Sequence, residues 1–221
     1  MQLGAGTRPV DGTVTVTAEI ARPRVAIGNL LAQAGAADKL PAAAEPDMTV
    51  AERHLVALAS DRKAWPALVS QRQTIQLQGG KGEYHAAISN VTVPGLYRVT
   101  VRIRGEDSQL GRFERSATAT AVVRFAGADR QRSKISLVTT NKDAELTVRP
   151  RDRHGNLLGP GLAGEVILDL PGLGDVRAED LGDGSYQFRV PRSVDQNPLL
   201  TLSVSGGRLF SGKLSGLRAR R

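Results

Sequence analysis

Alternation of apolar and polar residues with period two dominates the chain. Thr13-Val14-Thr15-Val16-Thr17-Ala18-Glu19-Ile20 puts Val14, Val16, Ala18 and Ile20 on one face and polar residues on the other. Successive side chains of an extended backbone point to opposite sides, so this predicts a half-buried strand. The same pattern runs through 74–78, 84–88 and 97–104. Residues 116–125 close the first series, with Ala117, Ala119, Ala121 and Val123 predicted inward. After the polar stretch Gly127-Ala128-Asp129-Arg130-Gln131-Arg132, which reads as a linker, a second series begins. Its strands are predicted at 135–139, 144–150, 164–170, 176–178, 185–190, 199–205 and 209–214. Short strands at close spacing with Gly and Asn turns between them predict antiparallel sandwiches. Pro150, Pro160, Pro171 and Pro191 fall at strand ends or loops, where a missing backbone donor does little harm.

One long segment breaks the pattern. Between the first strand and Thr74 the chain is rich in Ala and Leu. Thr49-Val50-Ala51-Glu52 is a capping box, and Val50, Ala51, Leu55, Leu58 and Ala59 fit a 3.6 period, which predicts a helix near 50–60. A shorter helix is expected from Gly28 to about Ala34. Such helices must cover something apolar, and the first sandwich is the nearest candidate. Leu55, Leu58 and Trp65 are then expected to turn toward it, leaving Glu52, Arg53, Arg62 and Lys63 as a charged outer rim; that rim together with Trp65 is the candidate interaction surface. For Trp65 two readings stand, a pin for the insertion and an exposed anchor for a partner. Loops this long are usually functional or disordered, and the capping box argues against disorder.

The two series share a turn. Gly82-Glu83-Tyr84, Pro94-Gly95-Leu96-Tyr97 and Asp183-Gly184-Ser185-Tyr186 each place a Tyr just inside a strand after a Gly. The expected role is structural: the ring enters the core and the hydroxyl returns to nearby backbone.

Composition changes the picture mainly by exclusion. The 221 residues include 30 Lys and Arg, 22 Asp and Glu, three His and no Cys, for a net charge of +8. Without Cys there is no disulfide framework, thiolate metal site or thiol nucleophile. No run approaches the apolar length of a membrane-spanning helix. Residues 1–127 carry 15 basic and 11 acidic side chains and residues 128–221 carry the same, so each half is +4. That even spread, together with only eight aromatic residues, argues against a nucleic-acid interface or a sugar-binding aromatic strip. The tail Arg218, Arg220 and Arg221 reads as a solvated basic terminus. Met1-Gln2-Leu3-Gly4-Ala5-Gly6 lacks the charged start and apolar core of a secretory signal. The expectation is a cytoplasmic protein, or a mature or excised segment whose targeting sequence lies elsewhere.

Catalytic chemistry finds little purchase. His54, His85 and His154 fall on a predicted helix, a strand and a turn; none has the i, i+4 spacing of a zincin, and there is no Gly-x-Ser-x-Gly. Gly79-Gly80-Lys81-Gly82 lacks the spacing of a phosphate loop and reads as a hairpin turn. Asp169, Asp175, Glu179, Asp180 and Asp183 offer oxygens for calcium, but the spacing matches no EF-hand, and solvated loops are the plainer reading. No catalytic residue, cofactor site or metal site is assigned.

Two resemblances add to this. Residues 141–214 resemble a filamin-type or bacterial immunoglobulin-like repeat through Val148-Arg149-Pro150-Arg151-Asp152-Arg153-His154-Gly155-Asn156, Gly182-Asp183-Gly184-Ser185-Tyr186 and Leu202-Ser203-Val204-Ser205-Gly206-Gly207. Asp195-Gln196-Asn197-Pro198 stands where such repeats usually have a Gly. Residues 8–125 are similar to the region that follows the von Willebrand factor A domain in some large exported bacterial proteins. The matching parts are Gly28-Asn29-Leu30-Leu31, Gly82-Glu83-Tyr84, Thr92-Val93-Pro94-Gly95-Leu96-Tyr97 and Phe113-Glu114-Arg115-Ser116-Ala117. The A domain itself and its metal-binding Asp-x-Ser-x-Ser sequence are not in this chain.

The expected fold is all-β, two tandem immunoglobulin-like β-sandwiches at 8–127 and 128–217. The first carries a helical insertion at about 25–73, and a basic tail follows at 218–221. The resemblances imply a non-enzymatic spacer or protein-interaction module of an exported bacterial protein, extracytoplasmic, with a protein partner and further domains of a larger parent chain. The alternative is a set of accessory domains of an enzyme whose catalytic domain lies outside this segment.

Overall fold

The computed structural model describes residues 13–34, 71–80, 82–109, 111–139, 143–191 and 197–218. Nearly all the regular structure is antiparallel β, as the period-two pattern predicts. The described residues fall into two compact units, 13–24 with 71–123, and 25–34 with 124–218.

In the first unit, β1 (Val14–Arg22), β2 (Gln71–Gln76), β5 (Gly95–Asp107) and β6 (Gly111–Val123) form one sheet in the order β2-β1-β5-β6. A separate hairpin pairs β3 (Gln78–Gly80) with β4 (Glu83–His85). Register assigns the faces. Ala18 lies opposite Ile75 on one side and Val101 on the other, and Val101 lies opposite Ala117. Opposed residues share a face, so Val16, Ala18, Ile20, Val99, Val101, Ile103, Ala117, Ala119 and Ala121 lie on one side. Polar residues take the other side, where Thr100 and Thr118 hydroxyls meet at 3.1 Å and Arg104 pairs with Glu114 at 3.1 Å.

The apolar face is covered along β1 and open along β6. Val16, Ala18, Ile20 and Ile103 are buried, whereas Ala117, Ala119 and Ala121 are exposed, contrary to their inward assignment from sequence. Alternation sorts residues between faces, but it carries no information on whether a face is covered. Among the described residues of this unit there is one four-stranded sheet and one hairpin, not two facing sheets.

The second unit has two four-stranded sheets. One joins β7 (Lys134–Thr139), β8 (Asp143–Arg149), β12 (Tyr186–Pro191) and β11 (Glu179–Asp180) in the order β11-β12-β8-β7. The other joins β9 (Val166–Leu170), β10 (Gly174–Arg177), β13 (Leu199–Val204) and β14 (Gly207–Lys213) in the order β10-β9-β13-β14. Their inner faces supply a single core. Leu146, Val148, Tyr186 and Phe188 come from one sheet, and Val166, Leu168, Leu202 and Val204 from the other, all at 1% exposure or less. Each fully buried side chain of this size contributes roughly 1.5–3 kcal/mol. The short helix α2 (Ser215–Arg218) adds Leu217 to that core.

Helix α1 (Ile27–Ala34) matches the shorter helix expected from sequence, but its partner differs. It groups with the second unit, where the Asn29 side-chain oxygen accepts the Leu157 amide at 3.1 Å. Gly28 packs directly on the Leu157 carbonyl, and a Cβ there would also lie 2.8 Å from the Gly159 carbonyl oxygen. The stretch 127–132, read as linker, is likewise bonded into the second unit. The Asp129 amide donates to Arg151 O at 2.7 Å, and Ala128 bridges Asp152.

Candidate functional surfaces

The helix expected near 50–60, His54 and the surface Glu52, Arg53, Arg62, Lys63 and Trp65 lie outside the described residues. The other residues singled out from sequence can be placed.

Each of the three tyrosines follows, by two positions, a glycine with positive φ: Gly82 at 87°, Gly95 at 150° and Gly184 at 83°. Side chains other than glycine are strained there, so the glycine lets the chain swing into the strand that carries the ring. The rings have three different environments. Tyr97 is buried and its hydroxyl donates to Val93 O at 3.0 Å, four residues upstream. Tyr186 is fully buried and its hydroxyl oxygen accepts the Leu162 amide at 3.1 Å. Tyr84 is half-buried on the β3–β4 hairpin.

Burial pushes the Tyr97 hydroxyl above its ordinary value, opposed by the charge of Arg22. Burial raises Tyr186 much further, helped by the Asp180, Glu165 and Asp183 carboxylates and opposed by the Leu162 amide. Folded Tyr186 therefore keeps its proton to higher pH than the unfolded chain does. Its contribution is intact below about pH 10 and is lost as pH rises toward the folded value, at about 1.4 kcal/mol per pH unit. Between pH 9 and pH 11 the wild-type urea midpoint is expected to fall more than that of Tyr186→Phe, by an amount worth about 1.4 kcal/mol. Equal falls in the two proteins would remove Tyr186 from the alkaline transition.

The acidic stretch is used for turns. Asp180 accepts the Gly161 amide at 2.6 Å and the Gly182 amide at 2.9 Å, and Asp183 accepts the Ser185 amide at 2.8 Å. Asp169 and Asp175 are exposed and directly opposed across β9 and β10. Like charges in that position repel, so Asp175→Lys is expected to raise stability by roughly 0.2–1 kcal/mol. The gain, read as a shift in urea midpoint, should shrink in high salt. Among the described residues no three His, Asp or Glu side chains gather as a metal site.

His85 is exposed on β4. His154 is exposed in the Asp152–Asn156 turn, where its Nε2 lies 3.1 Å from the Arg153 Nε. The anchor of that turn is Asp152, at 1% exposure. Its Oδ1 accepts the amides of His154 and Asn156, each at 2.9 Å, and its Oδ2 accepts the Asn156 side-chain amide at 2.9 Å. These bonds hold the turn closed.

A feature not read from the sequence is a groove in the second unit lined by Arg130, Gln131, Ser133, Lys134, Ile135, Ser136 and Leu217. Asp129 shapes its rim by capping the amides of Gln131 and Arg132, each at 2.9 Å. Ser133 fastens the turn below it, bonding the Arg151 amide at 3.0 Å and the Arg151 carbonyl at 3.3 Å. Arg130 and Lys134 are left exposed above the half-buried Ile135 and buried Leu217. A cationic rim over an apolar floor suits an acidic side chain that brings an apolar neighbour. The signal was present as Asp129 followed by two cations and Ser133, an Asx turn in a stretch read only as polar. No family model, curated protein or solved structure matches the chain significantly.

Proposed function

We propose that the chain is a non-enzymatic spacer or protein-interaction module of an exported bacterial protein, made of two immunoglobulin-like units in tandem. The observation that carries this reading is the strand order of the second unit. With β7, β8, β9, β10, β11, β12, β13 and β14 taken as A, B, C, C′, D, E, F and G, the sheets run D-E-B-A and C′-C-F-G. An immunoglobulin-like sandwich divides its strands in this way. The first unit is assigned to the same class with its second sheet reduced. A fold does not specify an activity, so the module reading draws also on the use of buried polar groups. Asp107, Asp152 and Ser185 are the buried polar residues among those described, and hydrogen bonds tie each into a turn. Recognition is therefore assigned to the surface: the groove at Arg130 and Lys134, and the candidate residues Glu52, Arg53, Arg62, Lys63 and Trp65.

Cell fractionation tests the export part of this reading. The protein is expected in the periplasmic or surface fraction, cleaved by protease added to permeabilised cells; retention in the cytosol overturns it. The neighbouring coding sequence tests the rest. An upstream metal-binding A domain fits the module reading, and a hydrolase or protease domain in the same reading frame assigns these units to an enzyme instead.

A further inference from the structure

The groove beside β7 runs along a sheet edge. Lys134, Ile135 and Ser136 are consecutive on β7, and all three line it. Successive side chains of a strand point to opposite faces, so one groove meets all three only where it follows the strand's edge. β7 is the last strand of its sheet, and among the described residues no strand pairs with its outer side. Leu217 of α2 also lines the groove, whose volume of about 830 Å³ is enough to seat a short extended segment. The two faces of β7 differ in chemistry. Ile135 lies opposite Val148 on the inner face, and Lys134 lies opposite Arg149 on the outer face.

Directly opposed cations repel, and no Asp or Glu lines the groove. Among the described residues no ion pair reaches Arg130, Lys134 or Arg149, and the Arg149 Nε is buried without a hydrogen-bond partner. Acids that could serve are already in use. Asp129 caps the amides of Gln131 and Arg132, and Glu145, on the outer face with Lys134, pairs with Arg189 at 3.9 Å.

We propose that this groove binds an extended acidic segment of a partner protein, one in which acidic and apolar residues alternate. The proposal rests on the assignment of recognition to the surface and names the chemistry of the partner. Laid along the edge of β7, such a segment sets its carboxylates on the Lys134 side and its apolar side chains on the Ile135 side, next to Leu217. The alternation follows from β7 itself, because a strand added to a sheet shares the faces of its neighbour. An acid in that place also relieves the opposition of Lys134 and Arg149, which a neutral or basic segment leaves standing. The chain itself carries +8, so a second copy is the poorer source of such a segment.

The probe is a fluorescein-labelled octapeptide of alternating Glu and Val, titrated with the full chain and read by anisotropy. Saturable binding is expected, weakened about tenfold by Lys134→Glu, which removes an attraction and adds a repulsion. The same substitution puts Glu opposite Arg149, so the thermal midpoint should hold or rise while binding falls. Arg177→Glu, an equal change of charge on the exposed β10 of the other sheet, should leave binding unchanged. An octapeptide of alternating Glu and Ser should bind more weakly, because it leaves Ile135 and Leu217 uncovered. No binding of the Glu–Val peptide, or equal binding by Lys134→Glu, overturns the proposal. Equal binding of the Glu–Ser peptide does the same. So does tighter binding of a thymidine oligonucleotide, which makes the cations a polyanion surface, or a dimer that Lys134→Glu dissociates, which assigns the groove to a second copy. All are read on the purified chain, so none bears on the export reading.

Discussion

Asp152→Ala is expected to lower the stability of the second unit by roughly 3 kcal/mol. The carboxylate is at 1% exposure and satisfies three donors, the amides of His154 and Asn156 and the Asn156 side chain. Alanine removes the acceptor and leaves those donors in a place with little water. Each orphaned buried group costs about 1–3 kcal/mol, and the losses overlap because the donors share one turn. The turn is coupled to its surroundings: the Asp152 amide donates back to Asn156 O at 2.9 Å, and Arg151 bridges Leu157. Asp152→Asn keeps an oxygen for the two backbone amides but turns an NH2 toward the Asn156 side chain, so its loss should be smaller, about 1–2 kcal/mol. Urea unfolding of the two variants gives the comparison. Equal stabilities for Asp152→Ala and wild type would show that the turn closes without its acid.

Gly28→Ala is expected to destabilise although alanine is the better helix former. On a solvent-facing helix this change gains about 1 kcal/mol. Here the new methyl would overlap the Leu157 carbonyl and lie 2.8 Å from the Gly159 carbonyl oxygen. Backbone cannot swing aside as a long side chain does, so α1 must lift away. The expected net loss is about 1–3 kcal/mol, in the range of overpacked cores. The sign alone separates the two cases. Hydrogen exchange localises the effect: the Leu157 amide, bonded to Asn29, should lose protection while Leu146 and Phe188 keep theirs. A stabilised Gly28→Ala protein would place α1 off the 157–159 backbone.

The strands of the second unit were legible to within a few residues because each has two chemically distinct faces. Val166, Leu168 and Leu170 alternate with Ile167 and Asp169, and the first three are fully buried. A period of two then leaves little freedom in where the strand runs. β11 was not legible. It is a two-residue strand, Glu179–Asp180, created by its pairing with Gln187 and Tyr186 and not by any pattern of its own. α1 was legible as a helix from its composition, but its partner was not, since an amphipathic face records that it is covered and not by what. The same limit explains Ala117, Ala119 and Ala121, whose shared face was read correctly and whose burial was not. The groove at Arg130 and Lys134 escaped because polar, charged turns and polar, charged linkers have the same composition. Only the side-chain caps of Asp129 and Ser133 tell them apart.

The Asn29–Leu157 bond joins residues 128 positions apart in sequence. On a ribosome adding about 5–20 residues per second, Leu157 follows Asn29 by roughly 6–25 s. An isolated 8-residue helix is too short to persist in water for that time. Throughout this interval Ala26, Ile27 and Leu31, all buried in the finished protein, stand on a segment that lacks its Leu157 partner. The nascent chain must carry them solvated, or hand them to a chaperone, while the strands of the first unit emerge behind them. Translation pauses placed before the second unit is complete should therefore lengthen the lifetime of a sticky intermediate, and pauses placed after it should not.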